Sequence, residues 1–406
     1  MGTIIDETRN DFITFAERPF NEMDSLILAQ LAYARMPGNV PRLEDGQVGG
    51  RAGAPVGGSA DDGSAASLLP MVGLRDLLRA ECYDAMFGRV WEPAMNVDLL
   101  RAMCENPRWR GVRVGGYVSE FEPEETKQFS ACAFEVGDGS LYVAFRGTDS
   151  SIVGWQEDFM MAFRRPVPSQ EAAVRYLRRV AGLWSGPIRV GGHSKGGNLA
   201  VYAAAGAPSD VQRRIVGVYS HDGPGFDREF RDGAGYGRIA GRVHKSVPEA
   251  SVIGMLFEDR EDVADGYTVV RSDGIGIMQH FALNWQVKDG EFERADGLSA
   301  GARYAARTIN GWMASYDDDH RRRFIEQLFA VLGATGCATF GELTSHWRQS
   351  LPAMLAAARG IDAEDREVAL AVLKGLASTA ASTMTSTMTS TVTSAVVPAR
   401  PNVDEI

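Results

Sequence analysis

The stretch Gly192-His193-Ser194-Lys195-Gly196 constrains this chain more than any other. Before it, Ile188-Arg189-Val190-Gly191 reads as a short buried strand; after it, Leu199, Ala200, Ala203 and Ala204 fall on one helical stripe. A strand must therefore become a helix within a few residues. The turn has the form G-x-S-x-G, in which the serine takes a strained backbone conformation. Glycines at 192 and 196 leave room that side chains would fill. The Ser194 hydroxyl is raised above the end of a sheet, at a helix N-terminus whose amides favour negative charge. The Lys195 amide is placed to donate to an oxyanion there. In a chain with 45 glycines the pattern also arises by chance, as a merely structural turn. The apolar strand before it and the Ala-rich helix after it favour an acyl-transfer serine.

The rest of the chain reads as α/β. Residues 1–10 are expected to fray. Ser25–Tyr33 reads as an amphipathic helix, with Leu26, Ile27 and Leu31 toward the core. Leu68–Phe87 and Asn96–Glu105 read as further helices. Gly111–Glu120 alternates as a strand, and Phe129–Val136 turns over Gly137-Asp138-Gly139 into Ser140–Phe145 as a hairpin. A polar loop follows, then a helix over Ser169–Trp184. Ile215–Ser220, Val247–Phe257 and Gly266–Val270 read as strands; Ala302–Met313, Asp319–Val331 and Thr339–Ala358 as helices. Alternation of strands and helices through the middle third predicts a mostly parallel sheet covered on both faces. The expected organisation is a helical segment over 1–36, a Gly-rich mobile loop over 37–66, a core over 67–300, a helical extension over 301–377 and a disordered Ser/Thr-rich tail over 378–406.

At 406 residues the chain can bury a full core, and its net charge of −11 argues against nucleic acid as the main partner. Four widely spaced cysteines (Cys82, Cys104, Cys132, Cys337), without a CxxC pair, favour a reducing, cytoplasmic compartment. No apolar run is long enough for a transmembrane helix, and the opening residues lack the pattern of a secretory signal. No Walker, HExxH or EF-hand pattern is present, so neither cofactor nor metal is expected. Composition leaves the oligomeric state open.

Phe145-Arg146-Gly147-Thr148, then Trp155 and Asp158, then the Gly-His-Ser-Lys-Gly-Gly-Asn run, follow an order that resembles class 3 (fungal-type) lipases of the α/β-hydrolase superfamily. Asp222-Gly-Pro-Gly-Phe226, Gln279-His280 and the opening Pro19-Phe20-Asn21 look closer to a bacterial lipase-like branch of undefined substrate. The likeness covers roughly residues 15–350. It implies that Thr148 contributes the second oxyanion donor through its amide and hydroxyl, the other being the Lys195 amide. Two departures stand out. Lys195 replaces the usual apolar residue and places a charge beside the turn. The usual aspartate before a Val-Pro pair is missing at Val247-Pro248.

A serine nucleophile needs a base, and the base needs an acid to orient it. The hydrolase order is Ser, acid, His. Of six histidines, His280 lies in the loop after the last strand and is the favoured base; its plainer reading is a loop histidine bonded to backbone. His221 and His244 are rivals. His193 should point away from the serine, and His320 and His346 read as helix-surface residues. Asp222 closes the strand after the helix and is the favoured acid, against a role in shaping the Gly-Pro-Gly turn. Asp262, Asp259 and Glu258 remain open as acids. Arg146 and Asp158 are expected to pair and hold the oxyanion loop. Trp155 and Trp285 either line an acyl pocket or pack in the core. The reading is a serine carboxylester hydrolase, lipase- or esterase-like, acting on a small acyl ester or lipid. The short stretch between Thr148 and Ser194 leaves little room for a large lid, which favours short acyl chains. The alternatives are a catalytically silent hydrolase fold used for binding or regulation, and a thioesterase or amidase on the same machinery.

Overall fold

The structure is a computed structural model that describes residues 2–43, 68–258, 266–339 and Glu342. The chain divides into two compact units, Met1–Ile325 and Glu326–Ile406. In the first unit, among the described residues, a sheet of eight strands runs in the order β2 (Met71–Gly73), β3 (Arg113–Glu122), β4 (Lys127–Glu135), β5 (Leu141–Phe145), β6 (Ile188–His193), β7 (Ile215–His221), β8 (Val243–Pro248) and β9 (Thr268–Val270). The pairs from β2 to β5 are antiparallel; those from β5 to β9 are parallel. This is a mostly parallel sheet with helices packed on both faces. A small second sheet joins β1 (Gly2–Thr3), β10 (Gln286–Lys288) and β11 (Glu291–Phe292).

Strand alternation sorts the core into two layers. Leu141, Val143 and Phe145 of β5 pack with Leu177, Val180, Leu199 and Ala203 from helices Pro168–Leu183 and Lys195–Gly206. Tyr142 and Ala144 face the other way, toward Leu26, Ile27 and Leu31 of helix Glu22–Leu31. That helix is buried along Met23–Leu31 rather than amphipathic, because it lies across the sheet under further helices and turns. Its Asp24 is fully buried and accepts two bonds from Arg108, at 2.8 and 2.6 Å.

Four expectations are corrected. Residues 2–10 do not fray: Thr3 and Asp6 form a capping box, Ile4 and Ile5 are buried in helix Ile4–Asn10, and β1 pairs with β10. Leu68–Phe87 is not one helix but β2, two short 3₁₀ turns and helix Tyr83–Phe87, because β3 takes Met71–Gly73 as an antiparallel neighbour. The loop after Thr148 contains helix Ile152–Met160, capped by Ser151. The strand expected over Val247–Phe257 instead spans Val243–Pro248 and gives way to a 3₁₀ turn at Ile253–Met255. Residues 44–66 of the Gly-rich loop, the helix expected over 339–358 apart from Thr339 and Glu342, and the Ser/Thr tail lie outside the described residues.

Candidate active site

The strand-to-helix turn has the geometry its glycines anticipate. Ser194 sits at φ 59°, ψ −133°, a strained region for a side chain-bearing residue. A Cβ on Gly192 would come within 2.3 Å of the Gly196 carbonyl carbon, and one on Gly196 within 2.1 Å of the Phe145 oxygen. No side chain fits at either place, and the packing this allows brings the end of β5 against the turn. The Ser194 amide donates to the His221 carbonyl at 2.9 Å, which ties the turn to β7.

Asp222 follows β7 directly and also has a positive φ, 49°. Its carboxylate is fully buried, and Oδ2 lies 2.6 Å from His280 Nδ1. Oδ1 accepts from the Ser251 hydroxyl and from the Gly254 amide, the latter at 3.1 Å. With Nδ1–H donating to Asp222, Nε2 of His280 keeps its lone pair. The loop carrying His280 is pinned on both sides: Trp285 Nε1 donates to the Gln279 carbonyl at 2.8 Å, and Ala250 donates to Gln279 Oε1 at 2.7 Å. Among the described residues, no hydrogen bond joins the Ser194 hydroxyl to His280.

The rival bases are placed elsewhere. His221 is buried between Ser25 Oγ (2.9 Å) and Ser246 Oγ (2.7 Å). His244 is half-exposed, 3.5 Å from Glu22. His320, in helix Asp318–Gly333, stacks on Tyr316 just before that helix; His346 lies outside the described residues. His193 turns from the serine and takes a task that sequence reasoning missed. Its Nε2 donates to the His280 carbonyl at 2.6 Å, and its Nδ1 accepts from Tyr33 Oη at 2.9 Å. Burial, reinforced by the His280 ring, lowers its pKa to about 3, so it acts as a neutral linker.

Among the rival acids, Glu258 pairs with Lys245 at 3.1 Å, and Asp259 and Asp262 lie outside the described residues. Trp285 is fully buried and packs edge-on against His193, His221 and Phe292, which makes it core rather than pocket wall. Trp155 sits half-buried on helix Ile152–Met160. A cavity of about 300 Å³ opens behind the Gly223-Pro224-Gly225 turn, lined by Phe226, Tyr236, Lys245 and Glu258 but not by Ser194 or His280.

On the other side of the serine, the amides of Lys195 and Thr148 have no hydrogen-bond partner among the described residues. The Thr148 hydroxyl meets Asp158 Oδ2 at 2.6 Å. Contrary to the sequence expectation, Arg146 does not pair with Asp158 but reaches Asp149 at 3.9 Å; Asp158 is taken by Thr148 and Lys195 instead. Nor does Lys195 place its charge beside the turn. The side chain runs beneath it, and the ammonium donates to Glu157 Oε2 and the Gln128 carbonyl, each at 3.0 Å. Burial opposes that charge, but Glu157 and Asp158 outweigh it and the pKa is raised.

Residues 103–330, more than half the chain, match the family model described as Mbeg1-like. The chain belongs to the Mbeg1-like family. A search of curated protein sequences found no match. Among solved structures, this Mbeg1-like chain is similar to M37 lipase, with 16% identity over 40% of this chain and 63% of that one, at a TM-score of 0.31. It is also similar to a Rhizomucor miehei lipase propeptide complex (14% identity, 49% of this chain, 66% of that one, TM-score 0.28). A third similar structure is titled as a triacylglycerol lipase whose catalytic centre is a serine protease triad (17% identity, 48% and 75%, TM-score 0.29). This chain thus spans about two thirds of the first two lipases' length. Among the described residues no helix is long and apolar enough to cross a membrane.

Proposed function

We propose that this chain is a serine hydrolase of the lipase/esterase kind, cleaving small acyl esters through an acyl-enzyme on Ser194. The observation that carries this reading is the 2.6 Å bond between buried Asp222 and His280, on the loop that His193 ties to the strained serine turn. In the mechanism, Ser194 Oγ attacks the acyl carbonyl carbon while His280 Nε2 takes the hydroxyl proton. Asp222 stabilises the imidazolium. The carbonyl electrons move onto oxygen, and the Lys195 and Thr148 amides donate to that oxyanion. Collapse expels the alkoxide, which takes the proton from His280. Water, deprotonated by the same ring, then releases the acid and restores Ser194. Helices Ile152–Met160 and Pro168–Leu183 fill the chain between Thr148 and Ser194, which suits short acyl groups. Four widely spaced cysteines without a CxxC pair suit a reducing, cytoplasmic setting.

Ser194→Ala is expected to lower turnover of a reactive short-chain ester by roughly 10⁶-fold, as removal of a triad serine does elsewhere. Retained turnover in that variant refutes the assignment. The open Ser194–His280 bond favours a second reading, a hydrolase fold used for binding, although free enzymes often close such bonds only around substrate. A fluorophosphonate probe separates the two, because folded protein that takes no label at Ser194 supports the binding module.

A further inference from the structure

The two proposed oxyanion donors come from separate segments, the amide of Thr148 after β5 and that of Lys195 at the start of the helix. One side chain links them. Lys195, 1% exposed, passes from the serine turn to helix Ile152–Met160 and places its ammonium 3.0 Å from Glu157 and 3.6 Å from Asp158. Glu157 is fully buried and held from other directions, by the Gln128 amide (2.9 Å), the Ser169 amide (2.8 Å) and the Ser169 hydroxyl (2.8 Å). Asp158 carries the linkage onward to the Thr148 hydroxyl. Gly154 brings the helix close enough for this, since a Cβ there would fall 2.7 Å from the Thr148 methyl carbon.

We propose that Lys195 is a positioning residue for the oxyanion hole: its ammonium keeps Asp158 an ionised acceptor for the Thr148 hydroxyl, so that one residue donates its amide and clamps the other donor amide in place. The Thr148 hydroxyl is then a tether and not a donor to substrate, and the oxyanion rests on two backbone amides. This rests on the acyl-transfer reading of Ser194. The electrostatics support it. Burial pushes the Asp158 pKa up to about 6, and Lys195 is the largest influence holding it down, helped by Thr148 and opposed by Glu157. The other groups facing the cluster are Tyr33, on whose hydroxyl Asp158 acts, and Arg146, which opposes the Lys195 charge.

The test is the rate of fluorophosphonate labelling at Ser194 across pH, with a thermal melt on each variant to fix the folded fraction. Lys195→Met is expected to label about 10- to 100-fold more slowly per folded molecule, the cost of a donor moved by a fraction of a bond length. Lys195→Arg should recover most of the rate. The pH profile of Lys195→Met should gain an ionisation above that of Asp158 in the native chain, and adding Asp158→Asn should erase it. A merely structural lysine moves the melt and leaves that profile unchanged. If Lys195→Met does not fold, Asp158→Asn decides. It keeps the side-chain shape but removes the ionised acceptor, and wild-type labelling in it overturns the proposal, as does wild-type labelling in folded Lys195→Met. A native chain that is folded yet unlabelled overturns the hydrolase reading and this proposal with it; a labelled native chain with an indifferent Lys195→Met overturns only the proposal.

Discussion

The two chain neighbours of Ser194 meet the same depth with opposite outcomes. His193 and Lys195 are 3% and 1% exposed, and burial penalises charge at both. At His193, burial and the nearby His280 outweigh the pull of Asp222, and the ring stays neutral. It then serves as a directional spacer from Tyr33 to the His280 carbonyl. At Lys195, two carboxylates outweigh burial and the charge persists. Partners, not depth, decide the protonation of what lies under this serine. The loop of the proposed base is thus tied down by neutral hydrogen bonds, and the proposed oxyanion side by an ion cluster.

Breaking the charged side should have the larger effect. Lys195→Met leaves Glu157 without its cation and is expected to cost about 3–5 kcal/mol in urea unfolding, as loss of one partner in a buried pair does. A loss below about 1 kcal/mol, the range of an exposed pair, would erase the contrast. The neutral side should show itself in acid. The His193 pKa falls from 6.5 to about 3 on folding, so its contribution to stability is present above 6.5 and is lost as pH falls toward 3. His221, also lowered, acts in the same direction. The melting temperature should therefore decline through that window, and His193→Asn should flatten part of the decline. Tyr33→Phe removes one hydrogen bond from the spacer and should cost about 1 kcal/mol with a modest fall in Ser194 labelling. An effect of opposite sign is expected at Asp158, whose pKa rises from 3.8 to about 6 on folding. Ionising it therefore lowers native stability as pH climbs through that interval. Relative to the native chain, the thermal-stability advantage of Asp158→Asn should grow across the same interval and hold constant above it.

Much of the candidate acid–base constellation was legible in the sequence as a set of residues. Ser194 announces itself by local pattern, Asp222 by closing an apolar strand, and His280 by following the last one. Each of those signals lies within a few residues of the side chain concerned. The oxyanion side was harder to read, because the direction of Lys195 depends on Glu157. That glutamate lies in a stretch whose polar residues hid the short helix Ile152–Met160. The donors to Asp222 were also hidden, since Ser251 and Gly254 sit where apolar content suggested a strand. At the N-terminus, Ile4-Ile5 is too brief an apolar run to signal burial, and its partners lie in residues far downstream.

The pairing of Gly2–Thr3 with Gln286–Val287 has a consequence for biosynthesis. During synthesis Gly2 and Thr3 must wait for a strand that closely follows His280 before they find their place. Contacts of such long sequence separation form late. A nascent chain shorter than about residue 290 would hold Ser194 in a sheet that could already be parallel and packed, yet lack the seam that secures the base; any reactivity toward esters should switch on only near the end of that domain's synthesis.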